Sequence, residues 1–457
     1  MKRLTIDTSI IAPLTLAFTY PASANIVQQG LITGSNELRT EKLPTGFKVM
    51  GLVSNYLIAY KDALLGSGYY GSVFAIDMNS LSEKEPKIVT IFENPEKELI
   101  AELTVVGQNV FLNLAKDVKN HIVRLQLAKD WSVGEFQFIN SGTLHFIDDG
   151  NTSSLFRFSF EDQLTPRSVY AFDVLSEKLT LVETMPPSFE SSDIKTEQRF
   201  MTSKDGTQVP YFLISRKAIK LDGKNPTILT GYGGFGVSLL PIYMSVSGRL
   251  WLEKGGVFAF SNIRGGGEYG VKWHMSAVRE KKQNSFDDFI SIAENLIKTG
   301  VTSPKHLGIR GGSNGGLLVG AVFTQRPELF QAVVCEAPIL DMKRFAKMNS
   351  AYSWIKEYGD PEVAEDAKFL NAYSPLHNMS SGKIYPEILF ITSHNDDRVH
   401  PGHARKMAQR LKELNKEYLY YEHDDGGHFN GSIEWTAKST AMALTFFAEK
   451  LGPFPPM

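Results

Sequence analysis

Four glycines surround Ser313 in the hexapeptide Gly311-Gly-Ser-Asn-Gly-Gly316, with His306-Leu-Gly-Ile-Arg310 before it and Leu317-Leu-Val-Gly-Ala-Val-Phe-Thr324 after it. This order predicts a short strand, a glycine-lined corner and a helix, with the serine at the corner. Such a G-x-S-x-G corner is a nucleophile elbow: the serine occupies a strained turn, and a Cβ at the flanking positions would strike the neighbouring strand or helix. The helix that follows aims backbone N–H groups and the positive end of its dipole at the space above the hydroxyl, where an oxyanion would form during acyl transfer.

Around this corner the chain divides into two halves of different character. Its 457 residues exceed one ordinary core and predict two or three domains. From about 43 to 185 the sequence reads as short strands with frequent turns, among them Lys48 to Tyr60, Leu99 to Leu114 and Phe136 to Ile147, and helix signals are nearly absent. That spacing predicts a sandwich, barrel or propeller. Val73-Phe-Ala-Ile-Asp77 and Val169-Tyr-Ala-Phe-Asp173 end alike, which hints at repeated four-stranded units of roughly 40 residues. After Pro186 strands and helices alternate, with helices expected at Phe286 to Thr299, Gly316 to Thr324, Gly402 to Leu414 and Trp435 to Leu451. Continuous apolar strands such as Ile388-Leu-Phe-Ile391 fit a doubly wound, mostly parallel sheet covered on both faces. The polar stretch Ser188 to Thr196, behind Pro186-Pro187, is the best linker candidate.

A net charge of -2, with no cation run interleaved with aromatics, gives no electrostatic case for nucleic acid. The single cysteine, Cys335, lies in an apolar run and reads as a buried structural thiol. At the N-terminus Met1-Lys2-Arg3, the apolar stretch Ile10 to Phe18 and Ala22-Ser23-Ala24 resemble a secretory signal, whereas Leu14 to Thr19 also reads as a strand. The first reading places the protein in the periplasm or outside the cell, the second in the cytoplasm. No other apolar run is long enough to span a bilayer.

A serine hydroxyl needs a base, and an imidazole base needs an acid to fix its tautomer. In α/β-hydrolases these follow the serine in the order acid, then histidine, each on a loop after a strand. Six histidines follow Ser313, and His428 is favoured because Gly426-Gly427 let its loop reach over the elbow; His423, nearer the strand end, is its competitor. The acid should follow Ile388 to Ser393, where either Asp396 or Asp397 could serve, the other having a turn or capping role. Arg398 beside them could hold a peptide carbonyl or carboxylate. One oxyanion donor is the backbone N–H of Asn314. The second should come from the glycine-rich loop around Tyr232, whose side chain reads equally as a packed loop aromatic.

Six ordered segments together resemble the prolyl oligopeptidase family of serine peptidases: Tyr232-Gly-Gly-Phe235, Asn262-Ile-Arg-Gly-Gly-Gly-Glu-Tyr-Gly270, Gln283-Asn-Ser-Phe-Asp-Asp-Phe289, Gly311-Gly-Ser-Asn-Gly-Gly316, Tyr373-Ser-Pro-Leu-His-Asn378 and Asp396-Asp-Arg-Val399. The resemblance implies an α/β-hydrolase domain over residues 187–457, preceded over 1–186 by a β-propeller cap, the first 25 or so residues being a signal or a fragment start. It implies Ser313 as nucleophile, His428 as base, Asp396 rather than Asp397 as orienting acid, and the Tyr232 hydroxyl with the Asn314 amide as oxyanion hole. Trp354 and Tyr358 fall where the prolyl branch stacks an aromatic ring on the substrate proline. Phe235, Ile339 and Val399 match the rest of that apolar pocket, and Arg398 the arginine that holds a substrate carbonyl. The expected activity is cleavage of short peptides after proline through an acyl-enzyme, with no cofactor and no metal. An esterase or acylaminoacyl-peptidase-like hydrolase of the same fold, or a truncated, catalytically idle binding protein, stays open beside it. Residues 43 to 185 hold only about three or four blades, so the propeller is expected to be incomplete and to self-associate through exposed edges.

Overall fold

The structure, a computed structural model, describes residues 16–18, 28–32, 38–42, 47–61, 64–65, 68–69, 71–81, 83–94, 99–136, 138, 142–147, 154–349, 351–428 and 431–454. The segment Ala22-Ser23-Ala24 lies outside the described residues, while Leu16–Phe18, within the alternative strand reading, pairs antiparallel with Gln28–Ile32.

The first half consists of antiparallel sheets. Strands Phe47–Val53, Tyr56–Lys61, Val73–Asp77 and Ile88–Phe92 pair in sequence order as one four-stranded unit, and Thr143–Ile147, Leu155–Glu161, Ser168–Asp173 and Lys178–Thr184 as another. Between them, Leu99–Val106, Asn109–Lys116, Lys119–Gln126 and Ser132–Glu135 form a meander extended by the short strands 64–65 and 68–69. The sheets pack face to face, as propeller blades do. Val53, Ile58 and Val73 meet Ile100, Val110 and Leu112 in one apolar layer. In the next layer Phe111 stacks on Phe156 at 3.9 Å, with Phe136, Phe158 and Phe172 around them. Asp77 and Asp173, the similar strand ends seen in the sequence, both close the third strand of a four-stranded unit and accept the amide two residues on, from Asn79 and Leu175 at 2.9 Å. This Asx turn gives the repeat a physical cause.

Three expected strands are corrected here. Lys48 to Tyr60 and Leu99 to Leu114 are each a hairpin, turning at Ser54-Asn55 and Gly107-Gln108. The turns hide in the sequence because two left-handed residues, Ser54 (φ 51°) and Gly107 (φ 58°), suffice to reverse the chain between apolar runs. Within Phe136 to Ile147, Thr143–Ile147 is the one strand among the described residues.

The second half is built on one eight-stranded sheet: β1 Ile194–Thr202, β2 Gln208–Arg216, β3 Thr227–Thr230, β4 Val257–Ser261, β5 Leu307–Gly312, β6 Ala332–Glu336, β7 Glu387–Ser393 and β8 Tyr418–His423, in the spatial order 1-2-4-3-5-6-7-8. The first two junctions are antiparallel and the rest parallel. Helices α1 Gln283–Lys298, α2 Asn314–Gln325, α3 Gly402–Glu413 and α4 Ile433–Lys450 cover it. Helix α1 buries Phe286, Phe289, Ile290, Ala293 and Leu296, the i, i+3, i+4 face expected of a helix lying on a sheet. On the other side α4 lies so close that a Cβ on Gly308 would come within 2.5 Å of the Phe447 ring. The expected linker from Ser188 to Thr196 is a second correction. Phe189 is buried and stacked on Tyr243, the Ser188 amide donates to the Tyr243 hydroxyl at 2.8 Å, and β1 begins at Ile194, so tertiary packing overrides the polar composition.

The halves meet through polar contacts: Tyr269 Oη donates to Asp117 Oδ1 at 2.8 Å, and the Tyr243 amide to Glu161 Oε2 at 3.0 Å. Glu268, beside this junction, is buried; its Oε1 accepts from the Leu239 amide at 3.0 Å and Asn262 Nδ2 at 3.3 Å, and burial pushes the carboxyl up to about 7. The folded state therefore holds this proton more tightly than the unfolded chain. The resulting stabilisation is present below the unfolded value, about 4.3, and is lost as pH rises through about 7. Glu268→Gln should remain neutral throughout, so the stability of the variant relative to the parent should rise between pH 5 and 8 by on the order of 3 kcal/mol. Thermal melts of both proteins across that range measure the difference, and a constant difference would contradict the assignment.

Candidate active site

Ser313 stands between β5 and α2 with φ 57° and ψ −118°, left-handed backbone that its glycine surroundings make room for. A Cβ at Gly311 would fall 2.1 Å from the Gly315 carbonyl oxygen, and one at Gly315 would fall 2.7 Å from the Gly231 carbonyl oxygen. Helix α2 begins at Asn314, two residues before the expected start at Gly316, so its first turn follows the serine directly. The Ser313 amide donates to the Glu336 carbonyl at 2.9 Å, and the Ser313 carbonyl accepts from Gly316 and Leu317 at 2.9 and 3.1 Å, which fixes the corner at both ends.

His428 and Asp396 are brought together by the loops after β8 and β7. His428 Nδ1 lies 2.7 Å from Asp396 Oδ2, and the two side chains are 2% and 0% exposed. Asp396 Oδ1 accepts the amides of Arg398 at 3.0 Å and Val399 at 2.8 Å, so both carboxylate oxygens are held. Because this carboxylate accepts only, the imidazole must present Nδ1–H to it, which turns Nε2 away as the basic nitrogen. Ser393 Oγ donates to the Gly426 carbonyl and Asn395 Nδ2 to the Asp424 carbonyl, lacing the acid loop to the histidine loop. Asp397 is exposed. His423 closes β8, its ring stacked 3.4 Å from Trp435, and burial lowers its pKa. It shares with Asp396 and His428 the wall of a cavity of about 250 Å³ on the Trp435 side.

The Tyr232 hydroxyl faces Ser313; burial raises its pKa while Ser313 and the Arg398 charge pull it down. Its carbonyl accepts from Asn314 Nδ2, and Asn314 Oδ1 accepts from Tyr358 Oη at 2.7 Å. Phe235, at φ 57°, stands edge-on to Trp354 (6.3 Å, 77°) and to Tyr358 (5.5 Å, 89°). Ile339 and Val399 are buried in the same apolar cluster as Trp354 and Tyr358, and Arg398 is exposed. Tyr358 is wholly buried with its hydroxyl engaged by Asn314, so it braces the elbow as well as the aromatic group. Cys335 is buried under the helix start, Sγ 3.4 Å from the Gly316 carbonyl oxygen, with its thiol pushed well up by burial.

Several charged residues that hold this arrangement are invisible as such in the sequence. Arg264 forms a buried pair with Asp288 and reaches Asp205, joining two of the glycine-rich and acidic motifs. Lys282 is 1% exposed and donates to Glu357 Oε1, although in the sequence it follows Lys281 and reads as a solvated cation. The sequence signal that could have found it is its place directly before the motif Gln283-Asn-Ser-Phe. Among the described residues no group of three histidine, cysteine or carboxylate side chains could hold a metal ion, and no helix is long and apolar enough to cross a membrane.

The chain is similar to known proteins along most of its length. The sequence pattern of the prolyl oligopeptidase family matches residues 244–454, and that of the prolyl oligopeptidase N-terminal beta-propeller domain matches residues 66–185. An uncharacterized peptidase of Sinorhizobium fredii is 39% identical over 386 residues, which cover 83% of this chain and 53% of the relative. A prolyl endopeptidase of Elizabethkingia meningoseptica is 33% identical over 453 residues, covering 93% of this chain and 62% of the relative. The solved structure of a post-proline cleaving enzyme from Rickettsia typhi superposes with a TM-score of 0.79 at 33% identity, covering 94% of this chain and 64% of that one. The chain thus spans from about half to just under two thirds of the length of these relatives.

Proposed function

This chain belongs to the prolyl oligopeptidase family of serine peptidases, and from that membership and the site geometry we propose that it cleaves short peptides on the carboxyl side of proline through an acyl-enzyme. Ser313 Oγ attacks the scissile carbonyl as His428 Nε2 takes its proton, and Asp396 holds the imidazole in the needed tautomer and stabilises its charged form. The Tyr232 hydroxyl and the Asn314 amide receive the oxyanion. Collapse expels the amine, protonated by His428, and leaves an ester on Ser313, which water then hydrolyses with His428 again as base. The observation that carries the reading is the contact between His428 Nδ1 and Asp396 Oδ2 at 2.7 Å, with both side chains almost fully withdrawn from water.

Selection of proline rests on the edge-on aromatic group of Phe235, Trp354 and Tyr358. A proline ring has no N–H to recognise, so shape and aromatic contact must select it. Trp354→Ala should therefore raise the barrier for proline at the cleavage position by about 1 to 3 kcal/mol relative to alanine. Paired dipeptide amides measure the ratio of kcat/KM; equal losses on both would favour the esterase or acylaminoacyl-peptidase-like reading. Arg398, exposed beside Val399, is the proposed holder of a substrate carbonyl.

Self-association through propeller edges belongs to the same proposal. Outer strands carry exposed apolar residues: Ile88 and Val89 on one, Val133 on the next, Leu181 and Val182 on the last. Sedimentation velocity should show a concentration-dependent dimer or larger species, and a monomer at all concentrations would oppose it.

A further inference from the structure

Glu357 is 5% exposed and gathers two side-chain donors, His274 and Lys282. Lys282 Nζ reaches its Oε1 at 2.9 Å and His274 Nε2 its Oε2 at 2.7 Å. Burial alone would raise this carboxyl, but Lys282 and His274 overcome it and bring the pKa down to about 2, so the group stays ionised. Lys282, in turn, donates to the Gly233 carbonyl at 2.9 Å.

The neighbouring residue completes the pattern. Tyr358 donates to Asn314 Oδ1, and Asn314 Nδ2 donates to the Tyr232 carbonyl. Two adjacent residues thus hold one short loop: Glu357 reaches the Gly233 carbonyl through Lys282, and Tyr358 reaches the Tyr232 carbonyl through Asn314. That loop needs securing, because Gly233, Phe235 and Gly236 all have left-handed φ values, of 65°, 57° and 65°. For a residue as large as phenylalanine such a backbone is strained and persists only where surrounding contacts impose it.

We propose that Glu357, through its contacts with His274 and with Lys282, which in turn holds the Gly233 carbonyl, is a positioning residue that sets the Tyr232 hydroxyl over Ser313 and fixes the Phe235–Trp354 aromatic pair as one unit. Oxyanion stabilisation and proline selection are thereby coupled: the carboxylate that shapes one shapes the other. This inference rests on the proposed role of Ser313. Glu357, Lys282 and His274 act on the loop that carries Tyr232 and Phe235.

A double-mutant cycle between Glu357→Gln and Tyr232→Phe tests the coupling, read as the second-order rate at which a fluorophosphonate labels Ser313, since the phosphoryl oxygen occupies the oxyanion position. Glu357→Gln is expected to slow labelling by about 10- to 100-fold, the scale of a misplaced catalytic group. In the Tyr232→Phe background, where the hydroxyl it places is gone, the same change should cost less than about threefold. Because Lys282 is left without its charge partner, Glu357→Gln could melt early; Tyr358→Phe, which removes one hydroxyl only, runs the same cycle with a smaller loss, about 3- to 10-fold, again suppressed by Tyr232→Phe. Equal losses in both backgrounds, in folded protein, would overturn the inference and leave Ser313 as nucleophile. A parent that does not label at all would overturn the reading on which it rests, and the inference with it.

Discussion

Ser313→Ala is expected to lower turnover of a proline dipeptide amide by at least about 10³-fold while leaving the melting temperature of the protein nearly unchanged. Ser313 is half-buried and outside the apolar core, and the elbow is held by backbone bonds from Ser313 to Glu336, Gly316 and Leu317, all of which alanine retains. What alanine removes is the atom that forms the acyl-enzyme. Turnover within about tenfold of the parent would transfer the chemistry to another residue.

Asp396→Asn is expected to be almost as damaging, by about 10⁴-fold, without disturbing the loop. Oδ1 would still accept the amides of Arg398 and Val399, so the backbone turn is preserved. The altered atom is the one 2.7 Å from His428 Nδ1. An amide NH₂ there donates instead of accepting, the imidazole turns its proton to Nε2, and Nε2 can no longer take the serine proton. His428→Ala should cost a similar factor, and combining it with Ser313→Ala should add little, since members of one catalytic unit fail together. His423→Ala, in contrast, should remain within about threefold of the parent, because its ring is stacked on Trp435 and lies at the end of a strand. Steady-state kinetics on the four variants decide between the histidines; a larger loss at His423 would move the base.

The features legible in sequence were those written by local rules. Gly311, Gly315 and Gly316 announced the elbow because each meets backbone or a proline ring at a distance no Cβ tolerates. The order of serine, aspartate and histidine along parallel strands located Asp396 and His428 to a loop, but the choice of Asp396 over Asp397 came from the family resemblance and is seen in space only as the bond to His428. Less legible were contacts whose partners lie far apart in the chain. Lys282 and Glu357, or Arg264 and Asp288, carry no periodicity that distinguishes a buried ion pair from solvated charges. Phe189 and Ile194 show the reverse error, a polar-looking stretch that packing turns into core and strand. The hairpin turns at Ser54 and Gly107 were hidden because one left-handed residue between two apolar runs leaves almost no compositional trace.

The central claim, that Ser313 is a nucleophile activated by His428 and Asp396, is tested most directly by incubating the intact chain with a fluorophosphonate and mapping the adduct by peptide mass spectrometry. One equivalent should appear on the peptide containing Ser313, and labelling should vanish in Ser313→Ala and fall steeply in His428→Ala and Asp396→Asn. An unlabelled chain, an adduct on another residue, or labelling that ignores His428 and Asp396 would contradict it.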